Sequence, residues 1–497
     1  MRIGHRHTGL RPSKQGPKTW KSSSGNQTAS PLSKGECAQH RSHQRMGWTI
    51  GALLIAAGGI GGSGWMAVNL IVNPQAMTWL NRLIPNWVPV SVPGSQSPQT
   101  LQAIQAGIRQ TGRIPGEPLP LGKNKSFLDG QSTVSDVLIP LLVQPAQASK
   151  EAANIVELRL YQAMPMQVQK GNSPALFQLV KQLAIAGPPE SFVIAPLVNA
   201  QSTSQGTARA LPLTTLKRFE DKVPAQGVWL NLTGLWSRRD ETVAYGQIIH
   251  YNPDRLYLSL MLEWSSTNGQ MPLWQEISGN KIPELVVDQT MGMEPQFRVY
   301  QVKPRNFLPE PIQLEPISLV DPVLSEPNYN KALLLARNGL WSTAWQWLQS
   351  CKQENQGKSG QWSAAAQAQM DLVQLHAQIT QAQADQSWAS PNQQILANLI
   401  DGRWNRALYL FKASPDNSLE TVALLRADSG QIQNRVEATL QINPNQREAK
   451  TWGALLIAAQ KDSSAAIGWL KKQPKTTKAD ITQISQLIKR LEASGDK

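Results

Sequence analysis

The chain has 497 residues and a formal net charge of +14 at neutral pH. A chain of this length predicts two or three folded units. The sequence contains no G-x-S-x-G, H-E-x-x-H or Walker A motif and no set of Cys and His residues at metal-ligand spacing, so it indicates no catalytic residue, cofactor or metal site.

The N-terminal tail, residues 1–46, holds more than half of the excess charge. It carries nine Lys and Arg residues against Glu36 alone, a net charge of +8. Its polar, Ser- and Gln-rich composition predicts disorder. A basic tail can bind nucleic acid or lie on anionic lipid. The lipid interpretation is favoured, and no nucleic acid is expected, because the tail has a single aromatic residue, Trp20, and adjoins a long apolar stretch.

Residues 47–72 are predicted to form a transmembrane helix, so the chain is expected to be an integral, single-pass membrane protein. The stretch Trp48–Val72 has 25 residues and no Asp, Glu, Lys or Arg. A helix of that length rises roughly 37 Å, and the hydrocarbon core of a bilayer is about 30 Å thick. The alternative is a buried core helix, which usually has a shorter apolar run. Glycine pairs such as Gly58 and Gly62 have the spacing of packed membrane helices, which predicts self-association through the span.

The distribution of basic residues predicts the orientation of the span. Basic residues gather on the cytoplasmic side, and after Val72 the next ones are Arg82 and Arg109. The tail is therefore predicted to be cytoplasmic and the C-terminal domains extracytoplasmic. A cleaved signal peptide and the reverse orientation are the alternatives. In the favoured orientation Cys37 and Cys351 lie on opposite sides of the membrane, which excludes a disulfide between them.

The predicted fold class is multidomain α+β. Residues 73–134 read as a juxtamembrane linker rich in Pro, Gly and Gln, with a short helix at Leu101–Arg109. Residues 135–302 predict a mainly antiparallel β domain, because alternating apolar and polar residues are separated by turn signals. The predicted strands are Val137–Val143, Ile155–Tyr161, Phe192–Val198, Gly227–Trp236, Thr242–Tyr251, Arg255–Trp264, Met271–Ile277, Leu285–Asp288 and Gln296–Val302.

Two finer expectations concern this β domain. Pro174–Ala186 is predicted as a helix. Strand alternation predicts that every second residue of the strand Arg255–Trp264, counted from Leu258, faces the core. These residues are Leu258, Leu260, Leu262 and Trp264.

A proline-rich segment, residues 303–328, is predicted to link the β domain to a helical domain at 329–497. In the helical domain, pairs of apolar helices recur, each pair separated by a polar break. The breaks fall at Gly339, Gly402, Gly430 and Asp462. The long interval between the first two leaves room for one more hairpin at Trp362–Trp388. Such hairpins stack because a single one cannot bury its own apolar face.

The hairpins resemble the tetratricopeptide-repeat (TPR) family over about 329–472. In Gly402–Pro415, Ala407 and Phe411 occupy the small and aromatic positions of the family's second helix, and Gly339–Leu348 is similar. The sequence departs from the family in its shorter period and in lacking the Trp and Tyr of the first helix. The resemblance implies protein binding on a concave surface.

The layout also resembles that of single-pass membrane proteins of cyanobacteria with no assigned activity. That resemblance implies the periplasm or the thylakoid lumen for the C-terminal domains.

Tryptophans on the helical hairpins are the candidate partner-binding residues, because Trp is enriched in interface hot spots. Packing between stacked hairpins is the alternative role for most of them. The candidates are Trp341, Trp345, Trp404 and Trp469.

Two further sets of residues have side chains that occur in catalytic or metal sites. His250 and His376 lie on predicted secondary structure without neighbours that make them ligands or bases. Glu157, Glu263 and Asp288 lie on predicted strands, and carboxylate pairs of this kind carry out glycoside hydrolysis. A solvated outer face is favoured for them by strand alternation.

Two functions follow from these patterns. The first is a membrane-anchored, non-catalytic scaffold or assembly factor that binds protein partners through the extracytoplasmic TPR-like domain. The alternative is an extracytoplasmic enzyme, such as a glycan hydrolase, with its site in the β domain.

Overall fold

The computed structural model describes residues 97–122, 135–144, 153–164, 174–198, 206–238, 241–267, 269–355, 362–413 and 416–495. All of them belong to the larger of the two units into which the chain divides, Asn81–Lys497. The predicted tail at 1–46 and the predicted span at 47–72 lie outside the described residues. Among the helices that are described, none is long and apolar enough to cross a membrane.

The first sheet has six antiparallel strands and is covered by a short helix. Its strands are β1 (Gln99–Thr100), β2 (Ile114–Pro115), β3 (Leu119–Pro120), β4 (Val137–Val143), β5 (Asn154–Ala163) and β6 (Leu176–Ala184). They lie in the order β1-β6-β5-β4-β2, and β3 also pairs with β4. Helix α1 (Leu101–Gln110) confirms the short helix predicted here, and its Ile104 and Ile108 pack on one face of the sheet.

Two neighbouring elements of this region were predicted with the wrong type. The segment predicted as a helix is strand β6, in which Phe177 and Leu179 are buried on alternate positions. The segment predicted as the strand Phe192–Val198 belongs to helix α2 (Glu190–Val198). Its residues are apolar nearly throughout, and such a run fits a buried helix as well as a buried strand.

The second sheet is the predicted antiparallel meander. Its strands are β7 (Thr215–Arg218), β8 (Val228–Arg238), β9 (Glu241–Asn252) and β10 (Tyr257–Thr267), and they lie in the order β10-β9-β8-β7. One face packs on the first sheet, through Leu230 and Leu232 of β8 among others. The other face packs on the third sheet. Both faces of the central strands are therefore buried.

A register shift in β10 divides the four residues that were predicted to share one face. The shift lies between Leu260 and Leu262 in the pairing with β9. Leu258 packs in the core towards the first sheet, whereas Trp264 packs in the core towards the third. Leu260 is 46% exposed. A β-bulge inserts one residue and so exchanges the two faces of the strand.

The third sheet extends into the segment predicted as a proline-rich linker. Its strands are β11 (Leu273–Gln275), β12 (Glu284–Asp288), β13 (Phe297–Pro304) and β14 (Ile312–Pro316), in that spatial order. Strand β14 lies within residues 303–328, which were expected to make no ladder bonds. It is an edge strand with Pro316 at its end, and an edge strand tolerates proline because one side needs no hydrogen-bond donor.

The C-terminal region is helical, as predicted. Its helices are α3 (Pro327–Arg337), α4 (Trp341–Asn355), α5 (Ala364–Asp385), α6 (Pro391–Ile400), α7 (Trp404–Ala413), α8 (Asp416–Ala427), α9 (Gln431–Ile442), α10 (Arg447–Gln460), α11 (Ser463–Lys472) and α12 (Lys478–Gly495). Each predicted break separates two helices. Gly339, Gly402 and Gly430 have positive φ angles, and Asp462 Oδ1 accepts a hydrogen bond from Ala465 N (2.7 Å).

The additional hairpin predicted at Trp362–Trp388 is instead one long helix, α5. Its 22 residues are mainly Ala, Gln and Leu and include no Gly or Pro. Nothing in this stretch favours a turn, because Ala, Gln and Leu all have high helix propensity.

The third sheet and the helices share one hydrophobic core. Leu285 and Val287 of β12 face the second sheet, whereas Val286 of the same strand packs in the helical core together with Val299 of β13. A partly buried ion pair adds to this contact. The side chain of Arg435, in α9, is 3% exposed. Its guanidinium makes a bidentate contact with the Glu294 carboxylate, with a distance of 2.9 Å between Nη1 and Oε1.

A buried histidine completes the joint between the third sheet and the helices. His376 of α5 accepts a hydrogen bond at Nε2 from Phe297 N (2.9 Å), while its Nδ1 donates to Leu372 O (2.8 Å). The Trp341 ring stacks on the imidazole at a centroid distance of 3.9 Å. Burial lowers the pKa of His376 to about 4. The neutral imidazole is therefore the form that holds the joint.

This lowered pKa predicts a pH-dependent stability. A histidine in the unfolded chain binds its proton near pH 6.5, whereas folded His376 does so near pH 4. Between these values the unfolded state binds the extra proton, so stability is complete above pH 6.5 and falls as the pH decreases to about 4. The loss from this group is about 3 kcal/mol.

The measurement is urea unfolding of the full chain in detergent, followed by circular dichroism at several pH values, for the wild type and His376→Gln. The variant is expected to be less stable at neutral pH and to lose less stability on acidification. Parallel pH profiles for the two proteins would contradict the assignment.

Candidate functional site

The four candidate tryptophans all contact the helical core. Trp404 begins α7 and is only 4% exposed, and its carbonyl oxygen accepts a hydrogen bond from Trp452 Nε1 (3.1 Å). Trp341, Trp345 and Trp469 are half-buried and pack against the same core. Core packing thus accounts for much of their surface. Their role in partner binding stays a prediction. The three half-buried rings suit that role better than Trp404 does, because parts of them are exposed.

One aromatic residue and one leucine of the helical region are more exposed than these four tryptophans. Tyr409 of α7 is 64% exposed, and the Arg406 guanidinium lies 5.4 Å from the centre of its ring. Leu419, on the next helix, is 49% exposed. The sequence pattern did not single out either residue, because exposure on a helix depends on which neighbours cover it.

The three candidate carboxylates lie on three different sheets. Glu157 of the first sheet lies between Arg113 and Arg159, with an Arg159 Nε–Oε1 distance of 2.6 Å. Glu263 of the second sheet accepts a hydrogen bond from Gln247 Nε2 (2.9 Å). Asp288 of the third sheet accepts one from Thr290 N (2.8 Å). Each carboxylate thus has its own partner, and the structure does not bring them together as a pair.

A buried histidine–glutamate pair lies beside a cavity of about 540 Å³ in the β region. His250 Nδ1 and Glu310 Oε2 are 2.7 Å apart, and both side chains are almost completely buried. Ser259 Oγ donates to the same carboxylate oxygen (2.9 Å), and His250 Nε2 lies 3.1 Å from Gln226 O. Sequence analysis missed the pair because Glu310 follows His250 by 60 residues and lies in the proline-rich segment.

The connections within this group differ from those of a nucleophilic relay. In a relay the hydroxyl bonds to the imidazole, which in turn bonds to the carboxylate. Here the Ser259 hydroxyl bonds to Glu310, and the second nitrogen of His250 faces a backbone carbonyl. The hydrogen bonds instead join β9 and β10 to the turn before β14. Glu310 Oε1 has no hydrogen-bond partner among the described residues.

A larger cleft, of about 870 Å³, lies along β7 and β8. Three basic residues line it, Arg209, Lys217 and Arg218, and none of the described residues that line it is Asp or Glu. Asn231 lies in its wall, but this side chain is 7% exposed and its Oδ1 accepts a hydrogen bond from Trp264 Nε1 (3.1 Å). Sequence analysis did not identify the cleft, because its walls come from segments far apart in the chain.

Metal-ligating residues are not grouped in the part of the chain that the structure describes. Within those ranges, no cluster of three or more His, Cys, Asp or Glu side chains is arranged to hold a metal ion. Cys351 is buried in the helical core, and burial raises the pKa of its thiol. A thiol in that state is a poor nucleophile.

Comparison with known proteins gives no relative: no family model, no curated protein and no solved structure matches the chain. The helical character of the C-terminal region is compatible with a helical-repeat domain. Inference about function therefore rests on the residues and contacts described above.

Two helical glycines test how tightly Trp469 is packed. A Cβ atom added at Gly453 of α10 would lie 2.4 Å from Trp469 Cη2 and 3.0 Å from Val436 Cγ1, whereas one added at Gly468 of α11 meets nothing within 4 Å. Ala is favoured over Gly inside a helix by about 0.5–1 kcal/mol. Gly468→Ala is thus expected to stabilise the chain by about that amount, and Gly453→Ala to destabilise it, because the indole ring must move.

Urea unfolding of the two variants and the wild type, followed by circular dichroism, measures both effects. Equal stabilisation by the two substitutions would show that the Trp469 ring moves freely.

Proposed function

We propose that the chain is a membrane-anchored, non-catalytic scaffold or assembly factor that binds protein partners through an extracytoplasmic TPR-like domain at about 329–472. The burial pattern of the helical hairpins carries this proposal. Ala407 and Phe411 of α7 are fully buried, and so are Ala344 and Leu348 of α4. These are the small and large positions at which the sequence resembles the second helix of a TPR unit.

The turns between the helices support the same interpretation. Gly339 and Gly402 both have φ angles near +78° and stand at the same place, between the first and second helix of their hairpins. Repeated hairpins of this kind stack into a curved array, and TPR-like proteins bind other proteins on its concave surface. In the proposed function Trp341, Trp345, Trp404 and Trp469 contribute to the partner surface.

The membrane anchor rests on the apolar stretch Trp48–Val72 and on the basic tail before it. The glycine pairs in this stretch favour self-association of the chain through the span. The same charge distribution gives a cytoplasmic tail and extracytoplasmic domains, in the periplasm or the thylakoid lumen.

The second candidate function is an extracytoplasmic enzyme with its site in the β domain. The observation in its favour is the 540 Å³ cavity, whose wall includes the buried pair His250 and Glu310. Buried titratable groups beside a cavity are typical of active sites. The scaffold is preferred because the Ser259 hydroxyl and the imidazole are not connected as a nucleophile and its base.

Labelling of single thiols tests the proposed orientation. Cys37 lies in the basic tail, and Leu235 of the second sheet is 62% exposed. In sealed membrane vesicles with the extracytoplasmic side outward, a membrane-impermeant maleimide is expected to label Leu235→Cys and to leave Cys37 unlabelled until detergent is added. The wild type is the control, because Cys351 is 2% exposed. Labelling of Cys37 before detergent would reverse the orientation.

Site-specific photocrosslinking in native membranes tests partner binding. We expect benzoylphenylalanine at Tyr409, which is 64% exposed on the helical region, to form an adduct with one protein in stoichiometric amount. The matched control is the same group at Leu308, 67% exposed on the β region and outside the lining of its clefts. The adduct is expected to decrease in Trp345→Ala, which removes part of the partner surface. Adducts at Leu308 alone, or none at either site, would contradict binding through the hairpins.

A further inference from the structure

The basic cleft beside β7 lies in the β region, and none of its described lining residues belongs to the helical hairpins. It lies at the edge of the second sheet, and its volume of about 870 Å³ is within the usual range for a ligand site. The described residues that line it come from β4, β5, β7 and β8 and from the segments before β7 and β11. It is thus a groove between layers of the β region.

The charge of the groove has one sign. Arg209 and Lys217 are exposed, and Arg218 is half-buried with its Nη1 donating to Gly122 O (3.1 Å). None of the three forms an ion pair with a described residue, and no Asp or Glu is part of the described lining. Three uncompensated cations in one cleft attract an anion and raise its local concentration.

One wall of the groove is an edge strand with free backbone groups. Phe219 N donates to Trp229 O (3.0 Å), across the pair that β7 makes with β8. Backbone groups alternate in direction along a strand. Leu216 and Arg218 therefore direct their N–H and C=O groups away from β8, and no described strand pairs with β7 on that side. An edge of this kind is a template for another strand.

The rim of the groove is apolar. Val143, Leu235 and Met271 line it and are 40%, 62% and 45% exposed. An added strand directs successive side chains to opposite faces. Lys217 and Arg218 are successive residues of β7 and so lie on opposite faces of the sheet. Acidic side chains on either face of an added strand can therefore meet one of these cations, and apolar side chains can contact the rim.

We propose that the groove binds an extended acidic segment of a partner protein, which adds as a strand to the free edge of β7. The unpaired N–H and C=O groups favour a peptide over a phosphate-rich ligand, which needs cations but no strand edge. Arg209, Lys217 and Arg218 then select for acidic side chains, and the apolar rim selects for apolar side chains among them. This surface is independent of the helical hairpins, so the result of the Tyr409 crosslinking does not affect it.

Fluorescence anisotropy with a labelled peptide of alternating Glu and Val tests the proposal on the full chain in detergent. We expect saturable binding that weakens as the salt concentration rises, because exposed charges are screened. A peptide of alternating Lys and Val should not bind. The double variant Arg209→Glu, Lys217→Glu should weaken binding by about tenfold or more. Lys472→Glu, an exposed lysine on α11, is the matched control and should leave the affinity unchanged.

Methylation of the peptide backbone distinguishes strand addition from simple attraction between charges. Methylating every backbone amide of the Glu–Val peptide leaves its charge unchanged and removes the donors from both edges of an added strand, so binding should be lost. The proposal is overturned if the methylated peptide binds equally well, or if no peptide binds up to roughly 1 mM. It is also overturned if tripolyphosphate binds with the same dependence on Lys217 while the peptide does not, because the groove would then be a polyphosphate site.

Discussion

Strand β12 is buried on both faces, and this burial holds the molecule together. Leu285 and Val287 complete the core with the second sheet, whereas Val286 completes the core of the helical region. A strand that contributes to two cores cannot be removed without opening both. The buried Arg435 depends on the same arrangement, because Glu294, which follows β12, supplies its countercharge. An arginine left in that position without its carboxylate would carry an uncompensated buried charge, which is strongly unfavourable.

The second sheet imposes a related constraint on where function can lie in the β region. Its central strands are covered on one face by the first sheet and on the other by the third, and the bulge in β10 allows that strand to supply Leu258 to one core and Trp264 to the other. Polar groups buried in these layers, such as His250 and Glu310, are engaged with each other. At the open edge of β7, cations and backbone groups remain accessible. A binding surface at the edge is consistent with this layered packing.

Sequence patterns predicted those helices, strands and turns whose formation depends mainly on residues close together in the chain. The hairpin breaks at Gly339 and Gly402 were visible because glycine suits the positive φ angle of a tight helical turn. The strands of the meander followed from alternation and turn residues. Prediction failed at β6 and α2, because their composition fits a helix as well as a strand. Packing against the neighbouring layers determines which of the two forms. It failed again at β14, where an edge position makes prolines acceptable. The basic cleft and the pair His250 and Glu310 could not be predicted, because residues far apart in the chain meet there only after folding.

The packing at β12 also has a consequence for the distance between the β region and the helical hairpins. The third sheet and the hairpins share a core instead of being joined by a flexible linker, so buried packing runs without a break from the second sheet, beside the groove, to the helices. Two partners bound at these places would be held at a constant separation and mutual angle. The chain would then act as a spacer, and substitutions in its buried joint would change the geometry of an assembly without altering either binding surface.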